Sequence, residues 1–325
     1  MNLPDRVAFT VFGISIYWYA ILISIGIIAA VIVAGICAKR RNMPADTPID
    51  LCLLAVPLGL IFARLYYVLF NLDYYKTFAD VINIRNGGLA IPGGIIGGLL
   101  GIFIYSLIKK KKIWGYLDVV APGVALAQAI GRWGNFFNQE AYGTAVTNPK
   151  LMFFPFAVRI EDCSDTGCTI AAQHGHLATF FYESMICFVL FIVLMIMFKR
   201  VKRNGDIFLT YLAVYTFERA GIEQLRTDSL MLGNVRITQA LYAVIFVAVI
   251  VFIVVRAIIE KKRGALILPL DPDEYKVAEP DVNEDGETDE NENSGEESTE
   301  DSGSEETFAS TTEPENNNNS TEESD

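Results

Sequence analysis

The sequence predicts an all-α integral membrane protein. The expected architecture is a seven-transmembrane-helix bundle with its N-terminus outside and its C-terminus cytoplasmic. An extracytoplasmic insertion separates spans four and five, and a disordered acidic tail follows the last span. Three observations predict this. The 325 residues are 52% apolar, with several runs near the ~20 residues that cross a bilayer. Basic clusters follow alternate apolar runs. The last stretch of chain has too few apolar residues to offset the entropy of ordering it.

The candidate spans are 15–38, 50–70, 88–108, 114–131, 178–198, 206–222 and 237–259. Positive charge follows the first span (Lys39, Arg40, Arg41) instead of preceding it, the reverse of a cleaved signal peptide. In the third, GGLAIPGGIIGGLLG spaces Gly93, Gly97 and Gly101 four apart, a smooth face for close helix packing. A glycine-lined cleft for a lipid chain is the other reading, and Pro92 starts or kinks this helix. The fourth and sixth spans are short with polar ends, as expected where helices line a protein-walled cavity. Fourteen of the 26 Lys and Arg residues fall in four clusters, Lys39–Arg41, Lys109–Lys112, KRVKR at 199–203 and Lys261–Arg263. All four lie on one side of a seven-span chain, and the excess of Lys and Arg marks that side as cytoplasmic.

Charge divides the chain in the same way. Residues 1–270 carry 25 basic and 16 acidic groups, whereas 271–325 carry 22 acidic groups and one basic, Lys276. The expected organisation is a membrane domain over 1–264, with its extracytoplasmic segment at about 132–177, and a disordered acidic cytoplasmic tail over 265–325. A basic body flanked by bilayer points to anionic lipid as its neighbour and not to nucleic acid. Cys37, Cys52 and Cys187 lie in apolar spans and read as small core residues. Cys163 and Cys168 lie in EDCSDTGC, where a disulfide and free thiols both stay open. KLMFFPFAVRIEDC (150–163) reads equally as a strand or an interfacial element. His174 and His176 are too few to hold a metal unaided, and no cofactor is expected.

Charged side chains at membrane depth are costly and tend to be functional. Arg132, Asn135, Asn138 and Glu140 follow span four in GRWGNFFNQEAYG (131–143). Arg219, Glu223, Arg226 and Asp228 run from the outer end of span six in FERAGIEQLRTDS. Arg64 lies inside span two, Tyr19 near the outer end of span one, and Glu183 at the start of span five. Each has an ordinary explanation alone. Arginines snorkel to headgroups, a tyrosine sits in an interfacial belt, Arg219 and Glu223 pair at i,i+4, and Glu183 partners an arginine. Their convergence on one membrane face is what those explanations leave over. Guanidinium groups make forked, charge-assisted hydrogen bonds to phosphate. At an outer leaflet the abundant phosphate is a phospholipid headgroup, whose hydroxyls or carbonyls Asn135 and Asn138 are placed to orient. The residues reach a site for an anionic phospholipid, and no reaction. A small transporter is the weaker reading, because no internal repeat is visible.

The stretch GRWGNFFNQEAYG closely resembles the signature of the bacterial phosphatidylglycerol–prolipoprotein diacylglyceryl transferases. IYWYA around Tyr19, ARLYYVLF (63–70), GGLAIPGGIIGG (87–98), TFFYES (179–184) and ERAGIEQLRTDSLML (218–232) resemble further motifs of that family in the same order, over roughly 15–260. The resemblance implies an enzyme of the bacterial cytoplasmic membrane whose active site faces the outer leaflet. It implies transfer of the diacylglyceryl group of phosphatidylglycerol to the lipobox cysteine of a prolipoprotein signal peptide, with a thioether formed and glycerol phosphate released. Arg132, Arg219, Asn135 and Tyr19 are then the expected catalytic residues. Arg132, Asn138, Glu140, Gly143, Glu223, Arg64 and Arg226 are expected to bind substrate. One place departs from the pattern. The family usually has a histidine, assigned as the base for the thiol, where this chain has Pro92. It also commonly has His-Pro where this chain has Leu177-Ala178, one residue after His176. Pro92 keeps a second reading alive, a non-catalytic phospholipid- or prolipoprotein-binding paralogue.

Overall fold

The computed structural model describes residues 5–75, 77–84, 87–159, 161–164, 167–170, 175–226, 231–232, 235–271 and 273–275. The chain opens with strands β1 (Val7–Val11) and β2 (Ile14–Tyr17), paired antiparallel with Val11 opposite Ile14. Phe12 and Gly13 join them with φ of 49° and 79°. Two left-handed residues in a two-residue loop match the twist of the flanking strands. Then follow the long helices α1 (Trp18–Arg40) and α2 (Thr47–Leu69), the short α3 (Phe78–Ile82), α4 (Ile91–Ile108) and α5 (Ile113–Asn138). Pro92 falls in the first turn of α4, where its missing N–H costs nothing.

Short strands fill the segment between α5 and the next long helix. They are β3 (Ala145–Val146), β4 (Ala157–Val158), β5 (Glu161–Ser164), β6 (Gly167–Ile170) and β7 (Gly175–Leu177). β3, β7 and β4 form one sheet in that order, and β5 and β6 a hairpin in which Cys163 is the cross-strand partner of Cys168. α6 (Thr179–Met197), α7 (Asp206–Ile222), β8 (Met231–Leu232), β9 (Val235–Arg236) and α8 (Ile237–Arg263) complete the fold. The all-α expectation is therefore corrected: the chain is mostly helical, with small sheets in its connecting segments. These strands are two to five residues long, too short for a sequence pattern to separate them from loop.

A helix stands at each of the seven expected spans. Six of them, α1, α2, α4, α5, α6 and α8, are long and apolar enough to cross a membrane. α7 has 17 residues and carries Asp206, Glu218 and Arg219. Side chains facing outward are apolar, such as Ile28 at 60% and Val244 at 66% exposure, as a lipid solvent requires. α5 is the centre, packed against α1, α6 and α7, while α2 packs on α4 and α7 on α8. The glycines of α4 are consumed by that packing: a Cβ on Gly97 would lie 2.3 Å from the Leu58 carbonyl oxygen, and one on Gly93 2.2 Å from that of Phe62.

At the end of the bundle where α1 finishes, the basic clusters do more than mark a side. Arg41 pairs with the buried Asp118 at 3.1 Å and donates to Asn204 Oδ1 at 2.6 Å. Asp118 also accepts from the Gly205 and Phe208 amides. Arg203 bridges Asp206 and Glu260. The chain beyond α8, assigned to the tail by composition, returns across this end. Tyr275 is 3% exposed, donates its hydroxyl to the Lys112 carbonyl at 2.8 Å and stacks edge-on to Tyr116. It fits because residue 115 is glycine, where a Cβ would come within 2.2 Å of the Tyr275 hydroxyl.

Candidate active site

The opposite end of the bundle carries a second set of buried charges. α5 runs through Asn138 before Gln139 ends it in the left-handed conformation (φ 54°). The polar motif thus begins on helix, not in the loop after the span. Continuing the helix keeps its backbone hydrogen bonds internal, so only the side chains must find partners.

Glu183, 1% exposed near the start of α6, is the hub. Its Oε1 accepts from Arg219 Nη1 at 2.9 Å, and its Oε2 lies 2.5 Å from Arg132 Nη2. The second contact is charge against charge without hydrogen-bond alignment. Arg219 also donates from Nη2 to Glu223 Oε2 at 3.2 Å, as its i,i+4 spacing predicts. The Arg219 guanidinium sits 5.6 Å from the centre of the Tyr242 ring, and Arg236 donates to the Glu223 carbonyl. Two cations from α5 and α7 are thereby held at one depth by a single carboxylate from α6. Burying a charge is costly unless it is paired in this way.

The other motif residues surround this network. Tyr19 of α1 packs on α5: a Cβ on Gly134 would come 2.6 Å from its Cδ2. Both Arg132 and Glu140 act on it electrostatically. Asn138 donates to Glu140 Oε1 at 3.2 Å. Asn135 lies one turn along α5 from Arg132, and its side-chain amide makes no hydrogen bond among the described residues. Trp133, on another face, donates to Ser184 at 3.1 Å and packs against Phe136, Phe180 and Phe181. Gly143 bridges strand-like to Arg226, and its amide donates to the Leu177 carbonyl at 3.0 Å. A Cβ there would meet Leu177 Cβ at 2.7 Å, so glycine lets the motif's end lie between β7 and the chain after α7.

Arg64 is placed elsewhere. It donates from Nε to Val81, from Nη1 to Gly87 and Gly88, and from Nη2 to Asp80 and Asn83, all to carbonyl oxygens at 2.7–3.0 Å. Five N–H groups staple the loop between α2 and α4, and the Glu183 network does not include it. His176 Nδ1 lies 3.0 Å from the Gly143 carbonyl oxygen, which accepts from its N–H, and the ring packs on Tyr142. Asp228 lies outside the described residues.

Two cavities adjoin the network. One of about 350 Å³ lies between α1, α2 and α5, lined by Ile27, Val31, Leu51, Val56, Val124 and Gly131. It reaches α5 one residue before Arg132. The other, about 440 Å³, lies between α6, α7 and α8, with Ile186, Phe217, Glu218, Gly221, Gln224 and Gln239 in its wall. Sequence reasoning passed over Glu218 entirely. Its one signal, a carboxylate next to Arg219, reads as a local pair, yet adjacent helical residues face different ways.

Comparison with known proteins gives a consistent picture. Residues 6–255 match the family model described as prolipoprotein diacylglyceryl transferase. A phosphatidylglycerol–prolipoprotein diacylglyceryl transferase 1 of Clostridium perfringens is 42% identical over 267 residues, 81% of this chain and 99% of the relative. Proteins bearing the same description without the number, from Bacillus cytotoxicus and Clostridioides difficile, are 42% and 44% identical over 78% and 73% of the chain, and over 92% and 89% of their own lengths.

Proposed function

The chain belongs to the prolipoprotein diacylglyceryl transferase family, and from that premise we propose how its own residues carry a diacylglyceryl group from phosphatidylglycerol to a prolipoprotein. The observation that carries the reading is the Arg132–Glu183–Arg219 bridge, two cations held by one carboxylate, with an apolar cavity that reaches as far as Gly131 on α5. Arg132 and Arg219 grip the headgroup phosphate. As the bond from glycerol carbon to phosphate oxygen breaks, negative charge grows on the leaving glycerol phosphate. Preorganised cations at that point lower the barrier by stabilising the charge as it develops. Glu183 and Glu223 hold the guanidinium groups in place. Asn135, with its amide open, and Tyr19 orient the headgroup and the reacting carbon. Asn138 and Glu140 lie at the rim, where they meet headgroup hydroxyls. The Gly143–Arg226 bridge ties the motif to α7. The cavity between α1, α2 and α5 receives acyl chain.

The acceptor is the lipobox cysteine of the prolipoprotein signal peptide, which reaches the site within the membrane as a thiol and attacks as the thiolate. The protein lies in the bacterial cytoplasmic membrane with seven spans, α7 included, and with the basic clusters inside. The site then faces the outer leaflet. Purified protein in phosphatidylglycerol vesicles is expected to move labelled diacylglyceryl onto a lipobox peptide. Lipid binding without transfer supports the binder reading instead, which the enzyme relatives of this chain disfavour.

The packed body takes in Tyr275, and activity is proposed not to need the acidic sequence that follows it. Ending the chain after Tyr275 is expected to leave activity and Tm unchanged. Tyr275→Ala, which empties a core site, is expected to cost about 3 kcal/mol, read as a Tm several degrees lower in detergent. Equal Tm values for Tyr275→Ala and the intact chain refute the boundary.

A further inference from the structure

Glu218 is a buried charge that the reading above leaves unused. It is 6% exposed on α7, and neither carboxylate oxygen has a hydrogen-bond partner among the described residues. The carboxylates of the bridge, Glu183 and Glu223, are all paired with arginine. An unpartnered buried carboxylate is expensive, and fold stability alone gives no reason to keep one. Its neighbours are chemically pointed. Glu183 of α6 and Arg132 of α5 act on it electrostatically, as does Arg219 beside it on α7. Cys187 of α6 feels its charge in turn. Gln239 of α8 lines the same crevice, and its amide is spent on the Ala220 carbonyl. Glu218 therefore stands in the wall of an otherwise largely apolar crevice, within electrostatic reach of the phosphate grip.

We infer that Glu218 is the proton acceptor for the acceptor thiol; the inference rests on the transferase reading. The carboxylate takes the thiol proton, so that S–H breaks as O–H forms. The thiolate attacks the glycerol carbon, forming C–S as the C–O bond to phosphate breaks. The electron pair of that bond leaves with the phosphate, between Arg132 and Arg219. The proton passes from Glu218 to the departing glycerol phosphate, which resets the carboxylate. Other candidates are worse placed. Residue 92 is proline in the first turn of α4. His176 faces the Gly143 carbonyl and Tyr142 and makes no described contact with either arginine of the bridge.

The test compares two lipobox peptides, one with cysteine and one with selenocysteine, whose selenol is already ionised at neutral pH and needs no base. Full-length wild type and Glu218→Gln are assayed in phosphatidylglycerol vesicles. Glu218→Gln is expected to slow cysteine transfer by about 10²–10⁴-fold, the usual worth of a general base, while selenocysteine transfer stays close to the wild-type rate. Glu218→Asp is expected to restore part of the cysteine rate. An equal loss on both peptides makes Glu218 structural and overturns the assignment, as does no loss on either. Wild type that transfers to neither peptide overturns the transferase reading, and the role of Glu218 with it.

Discussion

Arg132→Ala is expected to lower diacylglyceryl transfer by about 10³-fold, the scale on which a single preorganised charge-stabilising donor acts, while the protein still inserts and folds. The geometry separates these two outcomes. Arg132 meets Glu183 at Oε2 only, and Oε1 keeps its own bond from Arg219. The variant therefore leaves the buried carboxylate paired, and the structural cost is modest. What it removes is one of two cations facing the leaving phosphate. Arg132→Lys is expected to recover little, because an ammonium is a point charge without the guanidinium fork. The check is the labelled-lipid transfer assay beside a Tm in detergent. Full activity in Arg132→Ala refutes the assigned role; lost activity together with a collapsed Tm makes Arg132 a structural residue instead.

Glu183→Ala is expected to have the largest effect on stability, on the order of 3–5 kcal/mol, the range for stripping the partner from a buried charge. It leaves Arg132 with no described partner and Arg219 with Glu223 alone among its described carboxylates. Activity is lost as well, since nothing then holds the two guanidinium groups at one depth. The pairing has a sharper signature in the double variant. Glu183→Ala with Arg132→Ala removes one stranded cation and is expected to have a higher Tm than Glu183→Ala alone. Such recovery is the coupling that a double-mutant cycle isolates. A double variant no more stable than the single one argues against the bridge.

Much of the architecture is legible along the chain, because bilayer-crossing length and loop charge are one-dimensional properties. A helix stands at every expected span. The glycine spacing of α4 reads as close packing, and the α2 carbonyls opposite Gly93 and Gly97 show that packing. Arg219 and Glu223 pair as their spacing requires. Other features were out of reach. Arg64 looks like another phosphate-seeking arginine until the loop after α2 folds back and presents five carbonyls to it. Glu183 reads as a generic partner, since nothing local shows that it serves two helices. Tyr275 stands among acidic residues, and only the return of the chain across the bundle buries it.

By itself, then, the sequence determined that this is a membrane-embedded helical protein, roughly where its helices lie, and which thirteen residues deserve a functional question. Those conclusions follow from composition and period, each set within a few turns of chain. Only the tertiary structure decided which charges meet. Helix rotation and depth place Arg132, Glu183 and Arg219 in one network, send Arg64 to a loop, and leave Glu218 without a partner among the described residues. Rotation and depth are set by the summed packing of all the helices, so no single stretch of sequence encodes them.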